Sequence, residues 1–280
     1  MENCRLTDLK TGSGRYMLAS LAIFVYEFIG TACLVAIINA SKGSPVAIGI
    51  SLFFLLLLGG PISGAHYNPA VTIGVYINRI RDSLAAKPST FTSLTFQAVS
   101  MICAQILGAL FGMYGLFAVL KHVNETGTVD NQEAFPTLPT KEGVWVTPMF
   151  IECLTTCIFV CANLLVKDSD AAKHTAMVGE HNVNILGAAV IALSLTSVVT
   201  IAGPISGGSI NPAVSISQTV LSQSLLGKEG FTEENVRIYL CGPIFGALIA
   251  GFFFWNHATV LREHTGFECE EEEEREILLK

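Results

Sequence analysis

The feature that most constrains this chain is a twelve-residue segment that occurs twice. The first copy, GPISGAHYNPAV, begins at Gly60, and the second, GPISGGSINPAV, begins at Gly203, 143 positions later; the copies agree at nine of twelve places. Each copy ends a long apolar run and then places Asn-Pro-Ala where a helix would begin, because Asn is a favoured N-cap and Pro is favoured at the first helical position. The chain is therefore predicted to fold as two related halves that each contain one such helix start.

The composition indicates that most of the chain is solvated by lipid. Hydrophobic residues make up 51% of the 280 residues and charged residues only 14%, which is too apolar for an ordinary soluble domain of this length. Six apolar runs each have roughly the ~20 residues that cross a bilayer core of ~30 Å. They are residues 17–39, 46–63, 94–120, 146–166, 183–203 and 235–257. The first run is too long for a signal peptide and lacks a small-residue cleavage site, so it is also predicted to span.

The distribution of Lys and Arg predicts the orientation of the spans. If both termini are cytosolic, the inner segments carry eleven of these residues and the outer segments five, in line with the positive-inside bias. Six of the eight cysteines lie in the predicted spans and are expected to act as small apolar packing residues, without a disulfide framework. The net charge of −7 is concentrated in the acidic tail, and no nucleic-acid partner is expected.

The two halves are predicted to be inverted relative to each other. Half one covers residues 17–120 and half two residues 146–257, within a membrane domain of residues 17–257 that lies between a cytosolic N-terminus, 1–16, and an acidic cytosolic tail, 258–280. Three spans per half is an odd number, so the second half enters the membrane from the opposite side. Inverted repeats place their equivalent loops on opposite faces, pointing towards each other through the midplane.

Each Asn-Pro-Ala is followed by a helix too short to span. Ten residues separate Asn68 from Arg79, and ten helical residues reach only ~15 Å, about half the hydrocarbon thickness. Two half-helices that enter from opposite sides would meet at the midplane. The preceding glycines and prolines, with Gly60 and Pro61 in the first copy and Gly203 and Pro204 in the second, predict non-helical backbone there. Such backbone is tolerated at this depth only in protein or beside a wet cavity, which predicts a pore.

These residues resemble the aquaporins, the major intrinsic protein family, over residues 17–257. The resemblance is carried by the two boxes, by Ser63-Gly64-Ala65-His66, by Glu27 and Glu152, and by Gly242-Pro243. The box residues are Asn68, Pro69, Ala70, Asn211, Pro212 and Ala213. The resemblance implies an all-α membrane protein with six transmembrane helices and two re-entrant half-helices, a homotetramer with a pore in each subunit that passes water and small neutral solutes. No metal spacing, nucleophile triad or phosphate loop points to an enzyme, a cofactor or a metal.

The two asparagines are predicted to be the centre of the pore. Each would cap its half-helix through the side-chain oxygen and turn its amide N–H groups towards the permeant. The positive ends of both half-helices, near +0.5 charge each, would also face this point. That arrangement repels cations and protons, which is the explanation known for aquaporin-type pores.

The outer filter departs from the family pattern. Most aquaporins have Arg three residues after the second box Asn, and this chain has Val214. By family spacing the other filter positions are Ile48, Val199 and Gly208, an apolar ring that is expected to be wide and to admit hydrogen peroxide, urea or glycerol. Val at this place resembles one plant tonoplast intrinsic subgroup, whereas the Arg-Asp glycerol-facilitator signature is absent. The alternative is that Val214 only packs against neighbouring helices.

Glu27, Glu152 and His66 are predicted to support the re-entrant loops. Ionisable groups inside a membrane are functional hypotheses by default, including proton relays. The symmetric placement of the two glutamates instead favours a structural role as acceptors for the unpaired N–H groups of the loops.

Two further segments suggest regulation and sorting. The loop 167–185 contains His174 and His181, which would make a lid over the inner mouth sensitive to pH; a solvated loop without such a role is the alternative. In the tail, Glu274, Leu278 and Leu279 resemble the acidic dileucine signal read by clathrin adaptors, which predicts a vacuolar, lysosomal or endosomal membrane, with the plasma membrane as the alternative. Asn39 and Asn124 lie in glycosylation acceptor patterns on the outward side.

Three functional classes remain open at this point. A passive channel is favoured because both boxes are intact and the spans contain no evident coupling-ion pair. A secondary transporter would also use inverted repeats and broken helices. A non-conducting membrane junction protein is the third alternative.

Overall fold

The computed structural model contains six helices that are long and apolar enough to cross a membrane. It describes residues 12–85, 88–125, 144–167, 178–179, 182–183, 185–225, 232–257 and 260. The six spans are Met17–Ala40, Pro45–Ser63, Thr90–Val123, Val146–Lys167, Ile185–Ser206 and Glu233–His257. The predicted fold class and all six predicted spans are confirmed, with ends that differ by a few residues.

The helices follow the repeat along the chain. In the first half they are α1 Gly12–Ala40, α2 Pro45–Ser63, the half-helix α3 Pro69–Ala85 and α4 Pro88–Glu125. In the second half they are α5 Val146–Lys167, α6 Ile185–Ser206, the half-helix α7 Pro212–Leu225, and α8 Glu233–His257. Proline begins α2, α3, α4 and α7, where its missing N–H has no helical partner to lose.

Two short strands lie between α5 and α6. Strand β1, Val178–Gly179, pairs antiparallel with β2, Asn182–Val183, and β2 lies against α2 and α6. This ladder departs from the purely helical chain expected from the sequence. The part of the loop that the structure describes is therefore docked on the helices that lead into the two boxes.

The first half-helix is longer than the sequence suggested. Ten residues were expected before Arg79, but α3 contains 17 residues and ends at Ala85. Residues 79–85 contain no Gly or Pro that would end the helix at Arg79. A polar residue such as Arg79 can indicate where a helix leaves the hydrocarbon without ending the helix.

The non-helical approach to each box is shorter than expected. Gly60 and Pro61 lie inside α2, and Gly203 and Pro204 lie inside α6. Between each of these helices and the half-helix that follows, only residues 64–68 and 207–211 are non-helical. A proline inside a helix removes one backbone hydrogen bond but does not end a buried helix whose neighbours hold it in place. Both helices therefore carry the chain deeper before it turns.

Glycines bring the outer helices of each half into close contact. A Cβ on Gly108 of α4 would lie 2.2 Å from the carbonyl oxygen of Phe28 on α1, and a Cβ on Gly246 of α8 would lie 2.3 Å from that of Cys153 on α5. Helices in lipid associate through such small residues because apolar side chains gain little by leaving lipid for protein. The same device thus holds the corresponding helix pair in both halves.

Candidate functional site

The two half-helices begin next to each other in the interior and are joined through their asparagines. Asn68 Oδ1 accepts from Ala70 N at 2.8 Å, and Asn211 Oδ1 accepts from Ala213 N at 3.0 Å. Both side chains therefore cap their own helices. Asn68 Nδ2 also donates to the carbonyl of Ile210 at 3.0 Å.

The reciprocal bond closes the junction. Asn211 Nδ2 donates to the carbonyl of Tyr67 at 2.9 Å. Each asparagine thus uses one amide hydrogen to hold the opposite loop and keeps a second for another acceptor. Both asparagines line the same cavity, so the remaining donors are available to a molecule within it.

The two approach loops have the same backbone conformation. Left-handed φ angles occur at equivalent positions: Gly64 (83°), Ala65 (50°) and Tyr67 (51°) in the first loop, and Gly207 (90°), Gly208 (65°) and Ile210 (54°) in the second. Non-glycine residues enter this region rarely and at a cost. The surrounding hydrogen bonds must therefore hold each loop in place.

Glu27 supplies those hydrogen bonds in the first half. Its carboxylate accepts from the Ser63 hydroxyl at 2.7 Å and from the backbone N–H groups of His66 and Tyr67 at 3.0 and 2.8 Å. A fourth donor is Gln105 Nε2 at 2.7 Å. A buried carboxylate with four donors satisfies groups that would otherwise be unpaired within the membrane.

Glu152 has the corresponding place in the second half. It accepts from the Ser206 hydroxyl at 2.6 Å and from the backbone N–H groups of Ser209 and Ile210 at 3.0 and 2.7 Å. Both glutamates are fully buried. The geometry therefore supports the structural interpretation of these carboxylates over the proton relay.

The side chains of the loops differ where the backbones agree. His66 Nδ1 lies 3.1 Å from Thr72 Oγ1, whereas the equivalent Ser209 hydroxyl lies 2.6 Å from that of Ser215. Lys167, at the end of α5, donates from Nζ to the Ala65 carbonyl at 3.3 Å. The sequence did not assign this lysine to the loop, because its partner lies 102 positions away.

A cavity of about 540 Å³ leads to the junction. Its lining begins at the α1–α2 turn, with Lys42, Gly43 and Pro45, and continues to Asn68, Asn211 and His66. We call this space the outer cavity, because the distribution of Lys and Arg predicts that the α1–α2 turn lies outside. All four predicted filter residues line it: Ile48, Val199, Gly208 and Val214.

Val214 lies where both interpretations left open by the sequence would place it. It lines the outer cavity and is only 2% exposed, packed in a cluster with Val35 and Met113. The valine thus contributes an apolar patch to the cavity wall while filling space between helices. The carbonyl-rich approach from Gly207 to Ser209 also lines this cavity.

Asn39 is not available as a glycosylation acceptor in this fold. Its side chain is fully buried, its Nδ2 donates to the Val35 carbonyl at 2.8 Å, and its Oδ1 accepts from Gln218 Nε2 at 3.0 Å. Sequence reasoning missed this pair, and it missed Gln218 as a residue that lines the cavity. The only available signal was the spacing of Gln218, one helical turn after Val214.

Several predicted residues lie outside the described part of the chain. They are His174 and His181 of the loop, and Glu274, Leu278 and Leu279 of the tail. The side chain of Asn124 is also outside it. The gate, the sorting signal and the second glycosylation pattern therefore stay predictions.

Comparison with known proteins agrees with the geometry. The sequence model of the family described as Major intrinsic protein matches residues 19–254. Glycerol uptake facilitator protein-like 6 of Lactiplantibacillus plantarum is 28% identical over 85% of this chain and 95% of its own length. Aquaporin TIP2-1 of Arabidopsis thaliana is 28% identical over 89% of this chain and 92% of its own length. The X-ray structure of the aquaglyceroporin from Plasmodium falciparum aligns with a TM-score of 0.64 at 23% identity, covering 84% of this chain and 96% of that one.

Proposed function

The chain belongs to the major intrinsic protein family, and from this premise we propose that its outer filter admits uncharged solutes larger than water. As a member of that family it is a passive channel for water and small solutes. The proposal concerns which solutes pass and where they are selected. It assigns the chain no enzymatic activity and no cofactor.

The observation that carries the proposal is the apolar character of the four filter positions in the outer cavity. Ile48, Val199, Gly208 and Val214 line it, and none of them has a side-chain donor or a charge. A filter without a guanidinium is both wider and less selective for water, because pore diameter and lining donors set selectivity. Hydrogen peroxide, urea and glycerol are the solutes we propose. The name of the bacterial relative, a glycerol uptake facilitator-like protein, supports solutes of this size.

Ion and proton exclusion is assigned to the two boxes. The capped N-termini of α3 and α7 begin at Pro69 and Pro212, directly after asparagines that line the cavity. Their dipoles disfavour cations at this point, which is the barrier known for aquaporin-type pores. Charge exclusion therefore does not require an arginine at the outer filter.

Stopped-flow shrinkage of proteoliposomes in sucrose, urea and glycerol tests the proposal. A channel of this kind gives fast water flux in sucrose, low activation energy, and re-swelling as urea or glycerol enters. Saturable, ion-coupled flux would instead indicate a secondary transporter. Correctly folded protein that conducts nothing would indicate a junction protein, and water flux without solute entry would refute the wide filter.

Assembly and location complete the proposal. We assign the chain to a homotetramer in a lipid bilayer with cytosolic termini, in a vacuolar, lysosomal or endosomal membrane reached through clathrin adaptors. The positive-inside distribution and the tail residues Glu274, Leu278 and Leu279 support this assignment. A reporter-tagged Leu278→Ala/Leu279→Ala chain should move to another compartment, and an unchanged distribution would refute the signal.

The loop 167–185 is proposed as a pH-sensitive lid. It contains His174 and His181, and an unperturbed imidazole changes its charge near pH ~6.5. Deleting residues 168–181, the segment between α5 and β2 that contains both histidines, should flatten the dependence of water flux on pH between pH 5 and 8. Equal pH profiles for the deleted and full chains would end this proposal.

A further inference from the structure

Tyr239 of α8 contacts the second re-entrant loop and its half-helix at two points. Its hydroxyl donates to the Ser206 carbonyl at 2.6 Å, and its own carbonyl accepts from the Ser215 hydroxyl at 3.2 Å. The tyrosine is 1% exposed and is not one of the residues that line the outer cavity. Its contacts thus lie at both ends of the segment 207–214, which carries the second box and two of the filter positions.

The bond to Ser206 satisfies a carbonyl that α6 cannot pair. Ser206 is the last residue of α6, and the last carbonyls of a helix have no N–H partner within it. At membrane depth such a carbonyl is costly unless another donor reaches it. Gly207 and Gly208 follow directly and line the cavity. The tyrosine hydroxyl therefore fixes the point at which the filter loop begins.

A π-turn in α8 explains why the carbonyl of Tyr239 accepts from another helix. Residues Arg237–Cys241 form this turn, in which the Gly242 N–H donates to the Arg237 carbonyl. In an α-helix the donor to the Tyr239 carbonyl would be the N–H of residue 243, but residue 243 is a proline and has none. The Ser215 hydroxyl of α7 donates to this carbonyl. Single π-turns of this kind are frequent at functional sites.

The first half uses a glutamine where the second half uses the tyrosine. Gln105 Nε2 of α4 donates to the Thr72 hydroxyl at 2.9 Å. In the repeat, Ser215 is equivalent to Thr72, and Pro243 is equivalent to Gln105. Because proline has no side-chain donor or acceptor, Tyr239 contacts from α8 the position that Gln105 contacts from α4.

We propose that Tyr239 is a positioning residue for solute selection in the outer filter. Its bonds to Ser206 and Ser215 hold the loop that carries Gly208 on α8. A loop released from these bonds can move into the cavity and narrow it, and narrowing hinders urea more than water because pore diameter sets selectivity. The inference rests on the proposed wide filter and names a residue that keeps it wide.

The experiment compares urea and water flux through Tyr239→Phe in proteoliposomes. Phenylalanine keeps the ring and removes only the donor to Ser206. The ratio of urea to water permeability should fall roughly three- to tenfold, the range expected from loss of one hydrogen bond.

Tyr76→Phe is the matched control. The Tyr76 hydroxyl on α3 lies 2.9 Å from that of Thr95 on α4, and Tyr76 does not line the outer cavity. This variant also loses one hydrogen bond between helices, but it should keep the wild-type ratio of urea to water permeability. The comparison thus separates positioning of the filter loop from a general loss of stability.

The outcomes separate this inference from the proposed function. An unchanged ratio in Tyr239→Phe, with urea-permeable wild type, overturns the positioning role and leaves the wide filter intact. An equal fall of the ratio in Tyr76→Phe overturns it as well. A wild type that passes water but not urea overturns both the inference and the wide filter.

A second pair of variants tests the other bond if Tyr239→Phe does not fold. Ser215→Ala removes the hydroxyl that donates to Tyr239, whereas Ser215→Thr keeps a hydroxyl, and threonine is the residue that the first half has at this position, as Thr72. Ser215→Ala should lower the ratio of urea to water permeability, and Ser215→Thr should keep it near the wild-type value. Equal ratios in the two variants overturn the proposal.

Discussion

The two re-entrant loops share one backbone and differ in their side chains. Equivalent positions have left-handed φ angles, and each loop is held by one buried glutamate. The first loop adds the Gln105 amide and the Lys167 ammonium. The second has neither contact among the described residues; Pro243 takes the place of Gln105 in the repeat. Symmetry thus fixes where the half-helices meet, whereas the added side chains decide the chemistry of each side.

This difference gives the first loop two basic side chains that the second loop lacks among the described residues. His66 lies in the first loop and Lys167 reaches it from α5, whereas the second loop has Ser209 at the position of His66 and lies beside Val199 and Val214 of the cavity wall. Tests of the comparison therefore fall into two kinds. Substitutions of the buried glutamates and packing glycines, which we call the shared frame, should lower stability equally in both halves. Substitutions of side chains that differ between the loops should change only one half.

The largest effect is expected from the two glutamates. Glu27→Ala leaves four donors without their acceptor and Glu152→Ala leaves three. Each buried unpaired group costs about 1–3 kcal/mol, so both variants should fail to give folded protein in size-exclusion chromatography. The Gln variants keep one acceptor oxygen and should show intermediate thermal stability. If either Glu→Ala variant were as stable as wild type, the claim that both glutamates hold their loops in the same way would be contradicted.

A smaller and equal effect is expected from the packing glycines. Gly108→Ala and Gly246→Ala each force a Cβ against a carbonyl oxygen of the neighbouring helix, and overpacking of this kind costs typically about 1–3 kcal/mol. Thermal unfolding in detergent measures both. Gly115→Ala is the control on α4, because a Cβ there meets nothing within 4 Å. If only one of the two variants unfolded at a clearly lower temperature, the claim that the two halves use the same glycine packing would be contradicted.

Val214→Arg tests the side-chain difference directly, by adding a cation to the outer cavity. Urea and glycerol permeability should fall roughly tenfold, equivalent to a barrier about 1.4 kcal/mol higher. Water permeability should fall much less. Val214→Met adds length without a charge or a hydrogen-bond donor. It therefore distinguishes the effect of narrowing the cavity from the effect of the added charge. Unchanged solute flux in Val214→Arg would show that Val214 does not limit passage.

The smallest effect is expected at Lys167. Lys167→Met removes a single hydrogen bond to Ala65 and should lower the free energy of unfolding by about 1 kcal/mol or less. Differential scanning fluorimetry measures the change. Lys121→Met, an exposed lysine on α4, is the control. If both variants unfold at the wild-type temperature, the lysine contributes nothing to the first loop.

The parts of the fold that were predictable from the sequence are those determined by short contiguous segments. Apolar length located the spans, and the repeated Asn-Pro-Ala located both half-helices. The ends of these elements were less accessible. Pro61 and Pro204 stand inside helices, because tertiary packing outweighs the loss of one backbone hydrogen bond.

The candidate site divides in the same way. The four filter positions were named from the family resemblance and the two glutamates from that resemblance and their symmetric placement. The structure places the four positions on one cavity and each glutamate against the loop of its own half. The pairs Asn39–Gln218 and Lys167–Ala65 were not predictable, because their members lie 179 and 102 positions apart. In the sequence Asn39 indicated a glycan, and only its burial excludes this.

The central claim is that flux passes through the outer cavity to the paired asparagines. Its most direct test is to block this cavity with a thiol reagent. Val199→Cys places a thiol on the cavity wall, and Leu193→Cys places one on the 65% exposed outward face of the same helix. After treatment with a thiol reagent, water flux through Val199→Cys should fall to that of empty liposomes. Wild type and Leu193→Cys should conduct as before. Full flux through a Val199→Cys channel shown by mass spectrometry to be modified would contradict the account.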